Sequence, residues 1–289
     1  MLVIVGAIVV IACVVLGFLL EGGILHALLH PMPIELMIIA GSALGSLLIS
    51  APMPLIKEMM SQLGGVFKAH DPKKEEYIEV LLCLYELCKL AKSNPLALEP
   101  HVEAPENSEI FKRYPGVLAN HHAIAFIADT FKVQISSPMN PYDLEALMDQ
   151  DIKAAHEAEA AAPAQMNKVS DAMPGLGIVA AVLGVVITMG KLSQGKEVIG
   201  NSVGSALVGT FLGILLSYGF LGPLATKMDA LNIQHGKYVE VIKVAILAFA
   251  KDCSPKVCVE FARRTIPPSC RPSFQEIDTA TSSAGKAAA

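Results

Sequence analysis

Residues 2–20, LVIVGAIVVIACVVLGFLL, contain no charged side chain. A bilayer core takes ~20 apolar residues to cross, and in lipid every backbone N–H and C=O must find its partner inside the segment. Such a stretch folds as a helix. No basic region precedes it and no small-residue cleavage site follows, so it reads as a retained span and not as a signal peptide. Three more stretches repeat the pattern, at about Ile34–Ala51, Pro174–Gly190 and Ser202–Gly222. Glu35 stands at the rim of the second and reads as an interfacial residue. Only 17% of the chain is charged and its mean hydropathy is +0.51. That balance excludes an ordinary soluble domain. A net charge of −5 gives no reason to expect nucleic acid.

The basic residues orient the spans, because Lys and Arg are retained on the cytoplasmic side. The connector 21–33 has neither, and the connector 191–201 has only Lys191 and Lys196. The other 20 of 22 lie in 52–173 and 223–289, with Lys57, Lys227 and Lys237 close to span ends. The expected layout follows. Residues 1–51 carry the first two spans and a short outer connector, 52–173 form a large cytoplasmic segment, 174–222 carry the other two spans, and 223–289 form a second cytoplasmic segment. Both termini are cytoplasmic.

The polar segments read as helical. Asp71-Pro72 opens a helix whose Ile78, Leu81, Leu82, Leu84 and Cys88 alternate with charged positions at amphipathic spacing, and Asn94-Pro95 closes it. Asn140-Pro141 opens another, PYDLEALMDQDIKAAHEAEAAA, rich in strong helix formers. Residues 107–135 are helical with a break near Pro115-Gly116, and about the last dozen residues read as a disordered tail. The predicted fold class is therefore an all-α integral membrane protein. Its four transmembrane helices carry a helical cytoplasmic domain built from the 2–3 segment and the C-terminal segment.

The last two spans are unusually small-sided. Gly177, Ala180, Ala181 and Gly184 mark one, and Gly204, Gly209 and Gly213 the other. In lipid, association rests on close packing, which small residues permit. Two readings stand: packing within one subunit, and a seam around another chain. Pro174 and Pro223 sit at the cytoplasmic ends of these spans, as helix boundaries or as points where a missing donor opens the helix. Neither span contains Asp, Glu, His, Lys or Arg. Proton relays through membranes use such groups, so a partner has to supply the carboxylate if protons pass here.

No enzyme constellation stands out. The six cysteines lack CxxC spacing, and Cys253-x4-Cys258 has no matching Cys/His pair for zinc. His121 and His122 point about 100° apart on a helix, which is poor for chelation.

The pieces SEIFKRYP, LEALMDQDI, PGLGIVAAVLGVV, VGTFLGILLSYGFLGPLA and VEFARRTIPPSCRPSF, in this order among four spans, resemble the MotA family of flagellar motor stator subunits. The likeness runs from Met1 to about Asp278 and is nearest to the proton-driven branch. It implies a bacterial inner-membrane subunit with no enzymatic role and no cofactor beyond protons. It also implies a ring, thought to be five copies around two MotB chains. MotB would supply a membrane aspartate and a peptidoglycan anchor, and the cytoplasmic domain would push the rotor protein FliG. By the same resemblance Pro174 and Pro223 couple protonation to movement, and Thr210 faces the ion path. Ala181 stands where sodium-driven relatives carry a threonine, which favours protons. Glu99 and Lys92, with Lys89 as a rival, would contact FliG. The alternative is an ExbB/TolQ-type proton-driven transducer. Those relatives usually have three spans and an outside N-terminus.

Overall fold

The computed structural model describes residues 2–68, 72–191, 193 and 195–287. Among them there are helices and connecting turns but no strand. In chain order the helices are α1 (Leu2–Leu20), α2 (Leu25–Leu29), α3 (Met32–Ser50), α4 (Met53–Lys68), α5 (Lys74–Ser93), α6 (Pro95–Glu103), α7 (Glu109–Lys112), α8 (Pro115–Leu118) and α9 (His121–Ser136). Then come α10 (Pro141–Met189), α11 (Lys196–Ile214), a π-helical stretch π1 (Leu215–Leu221), α12 (Gly222–Ala250), α13 (Pro255–Thr265) and α14 (Phe274–Ala287). The chain folds as two compact units. One comprises residues 1–69 and 158–231, the other 70–157 and 232–289.

The first unit holds the apolar helices. Among the described residues four helical stretches are long and apolar enough to cross a membrane: Leu2–Leu20, Leu25–Ser50, and parts of Pro141–Met189 and Val198–Ala250. α1 buries no residue fully, and Ile4, Val5, Ile8, Val9 and Ile11 among its side chains point outward, where lipid is their natural solvent. α3 buries one four-residue stripe, Glu35, Ile39, Ala43 and Leu47. Ile39 and Ala43 pack with Met173 and Ala180 of α10 and with Val208 and Leu212 of α11. A second cluster joins Leu47 and Ala51 to Met59, Val66, Ala162, Met166, Ala225 and Met228. The Gln165 amide donates to Ser50 Oγ at 3.0 Å, so this packing contains a polar tie.

The second unit is built around α5. Val80, Leu81, Cys83, Leu84, Leu87 and Cys88 are fully buried. They share a core with Leu98, Phe111, Ile127, Phe131, Leu144, Val241 and Ile242. The motifs singled out in the sequence serve this packing. In SEIFKRYP, Ser108 caps α7 by accepting from the Ile110 and Phe111 amides, while Ile110 and Phe111 face inward. Arg113 then grips the buried Glu86 with both nitrogens, at 3.1 and 2.8 Å, and the Tyr114 hydroxyl donates to the same carboxylate at 2.8 Å. In LEALMDQDI, Leu144 and Met148 are core residues, and Asp149 accepts from Lys243 at 2.7 Å. In the last motif Arg263 donates to Pro272 O at 3.0 Å, and Ser273 and Glu276 cap α14 reciprocally.

Three sequence expectations differ from the structure. The Asp71 cap lies outside the described residues. α5 starts at Lys74, with the Lys73 amide donating to Glu76. The helix opened at Asn140-Pro141 and the third span are one helix of 49 residues that carries Pro163 and Pro174 inside it. The expected tail is helical to Ala287, because Ile277 and Thr281 are buried and Lys256 pairs with Asp278 at 2.9 Å.

Candidate functional site

The small residues of α10 and α11 bring two backbones together. A Cβ on Gly177 would stand 2.7 Å from Gly209 O and 3.1 Å from Gly213 Cα. One on Gly213 would stand 2.6 Å from Met173 O, and one on Gly184 would stand 2.7 Å from the Ala206 methyl. At these positions only hydrogen fits. Four glycines of the predicted seam, Gly177, Gly184, Gly209 and Gly213, therefore serve packing within the chain. Gly204 meets nothing within 4 Å, and Ala181 and Thr210 are half-buried. Thr210 Cα lies 3.3 Å from the Cβ position of Gly177, and its hydroxyl makes no hydrogen bond among the described residues. Two other span hydroxyls bond back to their own helix, Thr188 to Gly184 O and Ser205 to Asn201 O. Thr210 keeps its hydroxyl available.

Both prolines stand inside helical runs. Pro174 deprives Ser170 O of its i+4 donor, and Pro223 does the same to Gly219 O. The second loss coincides with a change of winding, since π1 ends two residues before Pro223 and the Gly222 amide donates to Ser217 O, five residues back. Ser217 O accepts a second bond from the buried Ser170 hydroxyl at 3.1 Å, and the two Oγ atoms are 3.3 Å apart. The turn opened by one proline is thus hydrogen-bonded to the turn rewound by the other. Ser170 is the partner that sequence reasoning missed. Its place four residues before Pro174 was the available signal.

Glu35 is the other residue missed. Glu35 stands in the first turn of α3, within the candidate span Leu25–Ser50. It continues the buried register 35, 39, 43, 47, a four-residue spacing visible in the sequence. Its carboxylate is directed at Gly209, beside Ala180 and the backbone of Ala181.

The charged residues predicted for the rotor belong to the second unit. Lys89 and Lys92 lie three apart on α5 and are exposed. Lys92 bonds to Asp252 Oδ1 at 3.1 Å and to its carbonyl at 3.2 Å, and Asp252 holds a left-handed turn at φ 61°. Glu99 is exposed on α6, beyond the Asn94 break. Neither Lys89 nor Glu99 has an ion-pair partner among the described residues. Nearby Glu260 is different in kind. Arg263 and Arg264 clasp it and hold its carboxyl down at about 2.

Residues 4–95 match the model for the motility protein A N-terminal region, and residues 119–239 match that of the MotA/TolQ/ExbB proton channel family. Motility protein A of Escherichia coli (strain K12) is 40% identical over 282 residues, which is 96% of this chain and 94% of that protein. Chemotaxis protein LafT of Vibrio parahaemolyticus is 33% identical over 274 residues, 94% of this chain and 95% of LafT. Two solved structures share the fold. The C. jejuni MotAB structure aligns with a TM-score of 0.76 at 20% identity, covering 94% of this chain and 98% of that one. The flagellar MotAB stator complex from Bacillus subtilis aligns at 0.74 and 22% identity, covering 93% and 96%.

Proposed function

The chain belongs to the motility protein A family, and on that premise we propose that it is a flagellar motor stator subunit. With MotB it forms a proton channel in the bacterial inner membrane and turns ion flow into torque on FliG. The observation that carries this reading is the Ser170–Ser217 link between the turns on which Pro174 and Pro223 act. A charge change on a neighbouring helix that shifts one turn is transmitted to the other through a buried hydrogen bond.

In this mechanism several copies of the chain, five by family analogy, surround two MotB helices. The MotB aspartate takes up a proton from the outside. Thr210 lends its hydroxyl to the path, and Ala181 offers no side-chain oxygen to hold a sodium ion, which wants several. Protonation changes the contact between MotB and the seam, and the proline turns convert that change into movement of the helices that carry the cytoplasmic segments. Lys89, Lys92 and Glu99 then engage charged groups on FliG, where complementary charge sets register and encounter rate. Both termini face the cytoplasm, as the distribution of basic residues favours. No step breaks a covalent bond other than O–H, so the protein has no enzymatic role. An ExbB/TolQ-type transducer shares the family model over 119–239, but the match over 4–95 and the full-length relatives favour the stator.

The test is swimming speed in a strain lacking its own stator, supplied with this chain and its cognate MotB. Speed is followed against external sodium and against a protonophore. Speed that ignores sodium and collapses with the protonophore is expected. Strict sodium dependence would overturn the ion assignment, and a folded but immobile complex would overturn the stator assignment. Pro174→Leu is expected to assemble normally and not rotate. Normal swimming in that variant would remove the coupling role.

A further inference from the structure

Glu35 is an acidic side chain inside a candidate span that the mechanism above does not use. It is 7% exposed, and its Oε2 has no hydrogen-bond partner among the described residues. The atom is aimed into a notch made for it: a Cβ at residue 209 would stand 2.5 Å from Oε2, 3.1 Å from the Ala180 methyl and 3.3 Å from the Ala181 amide nitrogen. Glycine at 209 leaves the space that the carboxylate fills.

An ionised carboxylate in that setting has nothing to compensate it, and acidic groups inside membranes mark ion paths. No cation on the packed elements answers it. On α11 the charged residues are Lys196 and Glu197 at its start, and Lys196 lies thirteen residues before Gly209, roughly 20 Å at 1.5 Å per residue. On α10 the nearest is Asp171, ten residues before Ala181 and about 15 Å away, and Lys191 lies in the turn two residues past the end of α10. On α2 there are the exposed His26 and His30, whose rings are 5.4 Å apart.

We propose that Glu35 is a proton-binding site of this chain, set in the α3–α10–α11 seam beside the path lined by Ala181 and Thr210. This rests on the stator reading above. Uptake forms an O–H bond between a proton delivered by water and a Glu35 carboxylate oxygen, which leaves the side chain neutral in the notch. Release breaks that bond and passes the proton to water or to the carboxylate that the partner helix brings to the seam. The chain would then contribute a titrating group of its own to the path, next to the partner's.

The experiment uses the complex of the full chain with its cognate MotB in native membranes, treated with dicyclohexylcarbodiimide. That reagent adds to protonated carboxyl groups in apolar surroundings. Modification of Glu35 is read by peptide mass spectrometry over roughly pH 6 to 9, a range in which a free carboxyl is fully ionised. Labelling of Glu35 that falls severalfold across this range is expected. Glu35→Gln should lower motor speed severalfold at normal complex yield, and Glu35→Asp should restore part of it. Should Glu35→Gln fail to assemble, Gly209→Ala serves instead. Its methyl expels the carboxylate from the notch and should cut labelling severalfold. Absence of labelling at every pH, unchanged labelling in Gly209→Ala, or wild-type speed in Glu35→Gln would each overturn the proposal. A sodium-driven wild-type complex would overturn only the ion assignment, and an immobile one the stator reading; in either case the labelling curve decides this proposal by itself.

Discussion

The two units of this molecule solve the packing problem with opposite materials. Around α5 the core is filled by large side chains, with Leu81, Leu84, Leu87, Phe111 and Phe131 fully buried. Water drives that assembly, at about 25 cal/mol for each Å² of apolar surface removed. In the seam of α10 and α11 the contact is backbone on backbone, at Gly177, Gly209 and Gly213, while Ile178, Val182, Leu183 and Leu207 point away. Lipid offers no hydrophobic reward for bringing apolar helices together, so close approach itself has to hold them. A large side chain strengthens the core around α5 and would destroy the seam. A small residue does the reverse.

Substitutions at equivalent depth should expose this contrast. The largest effect is expected from Gly213→Val. Its side chain would enter Met173 O and Gly177 Cα, and no folded complex should survive extraction and size-exclusion chromatography. A normal elution profile would mean that the seam opens at little cost. Leu84→Ala, which empties a fully buried site in the other core, should lower unfolding stability by about 3 kcal/mol while the spans still assemble. A loss below ~1 kcal/mol, measured by chemical denaturation of the complex, would show that the core repacks.

Smaller effects separate folding from docking. At low pH, stability should fall through Glu260. Its carboxyl lies at about 2 in the folded protein against an ordinary 4.5. A depressed folded value means that the stabilisation is complete above the ordinary value and disappears as pH falls through the folded one. Solvent reaches this pair, so the loss is about 1 kcal/mol, and Glu260→Gln should flatten the pH profile of thermal unfolding between those two values. A profile identical to wild type would assign acid sensitivity to other groups. The smallest change in stability, under about 0.5 kcal/mol, is expected for the exposed Glu99→Lys. Its torque should drop and recover in part when a charge on FliG is reversed. If no FliG allele rescues it, Glu99 is only a solvated surface residue.

Much of the fold was legible because its signals are local. The four apolar stretches, the start at Asn140-Pro141, the break near Pro115-Gly116 and the stop at Asn94-Pro95 all stand where the structure has helices or their ends. The tail was misjudged because Ala, Ser and Thr describe composition alone. Its helix is held by Ile277 and Thr281 and by the Lys74–Glu276 pair, a contact 202 residues apart in sequence. The third span was separated from the helix before it because proline discourages helix interiors, yet Pro163 and Pro174 are both accommodated.

The sequence by itself determined that the chain crosses a membrane in helices, where the polar segments fall, and which family its motifs belong to. Hydropathy, caps and motif order act over a few residues and need no partner. Only the tertiary structure decided which way each small residue faces. Gly177 and Gly204 both lie in apolar, glycine-rich stretches, but one meets a backbone and the other meets nothing. It also decided that Glu35 lies in a notch at Gly209 and that Ser170 bonds to Ser217. A helix that is apolar all round has no face marked by hydropathy. Its packing face is chosen by shape complementarity with helices far away in the chain, and that information appears only when the helices meet.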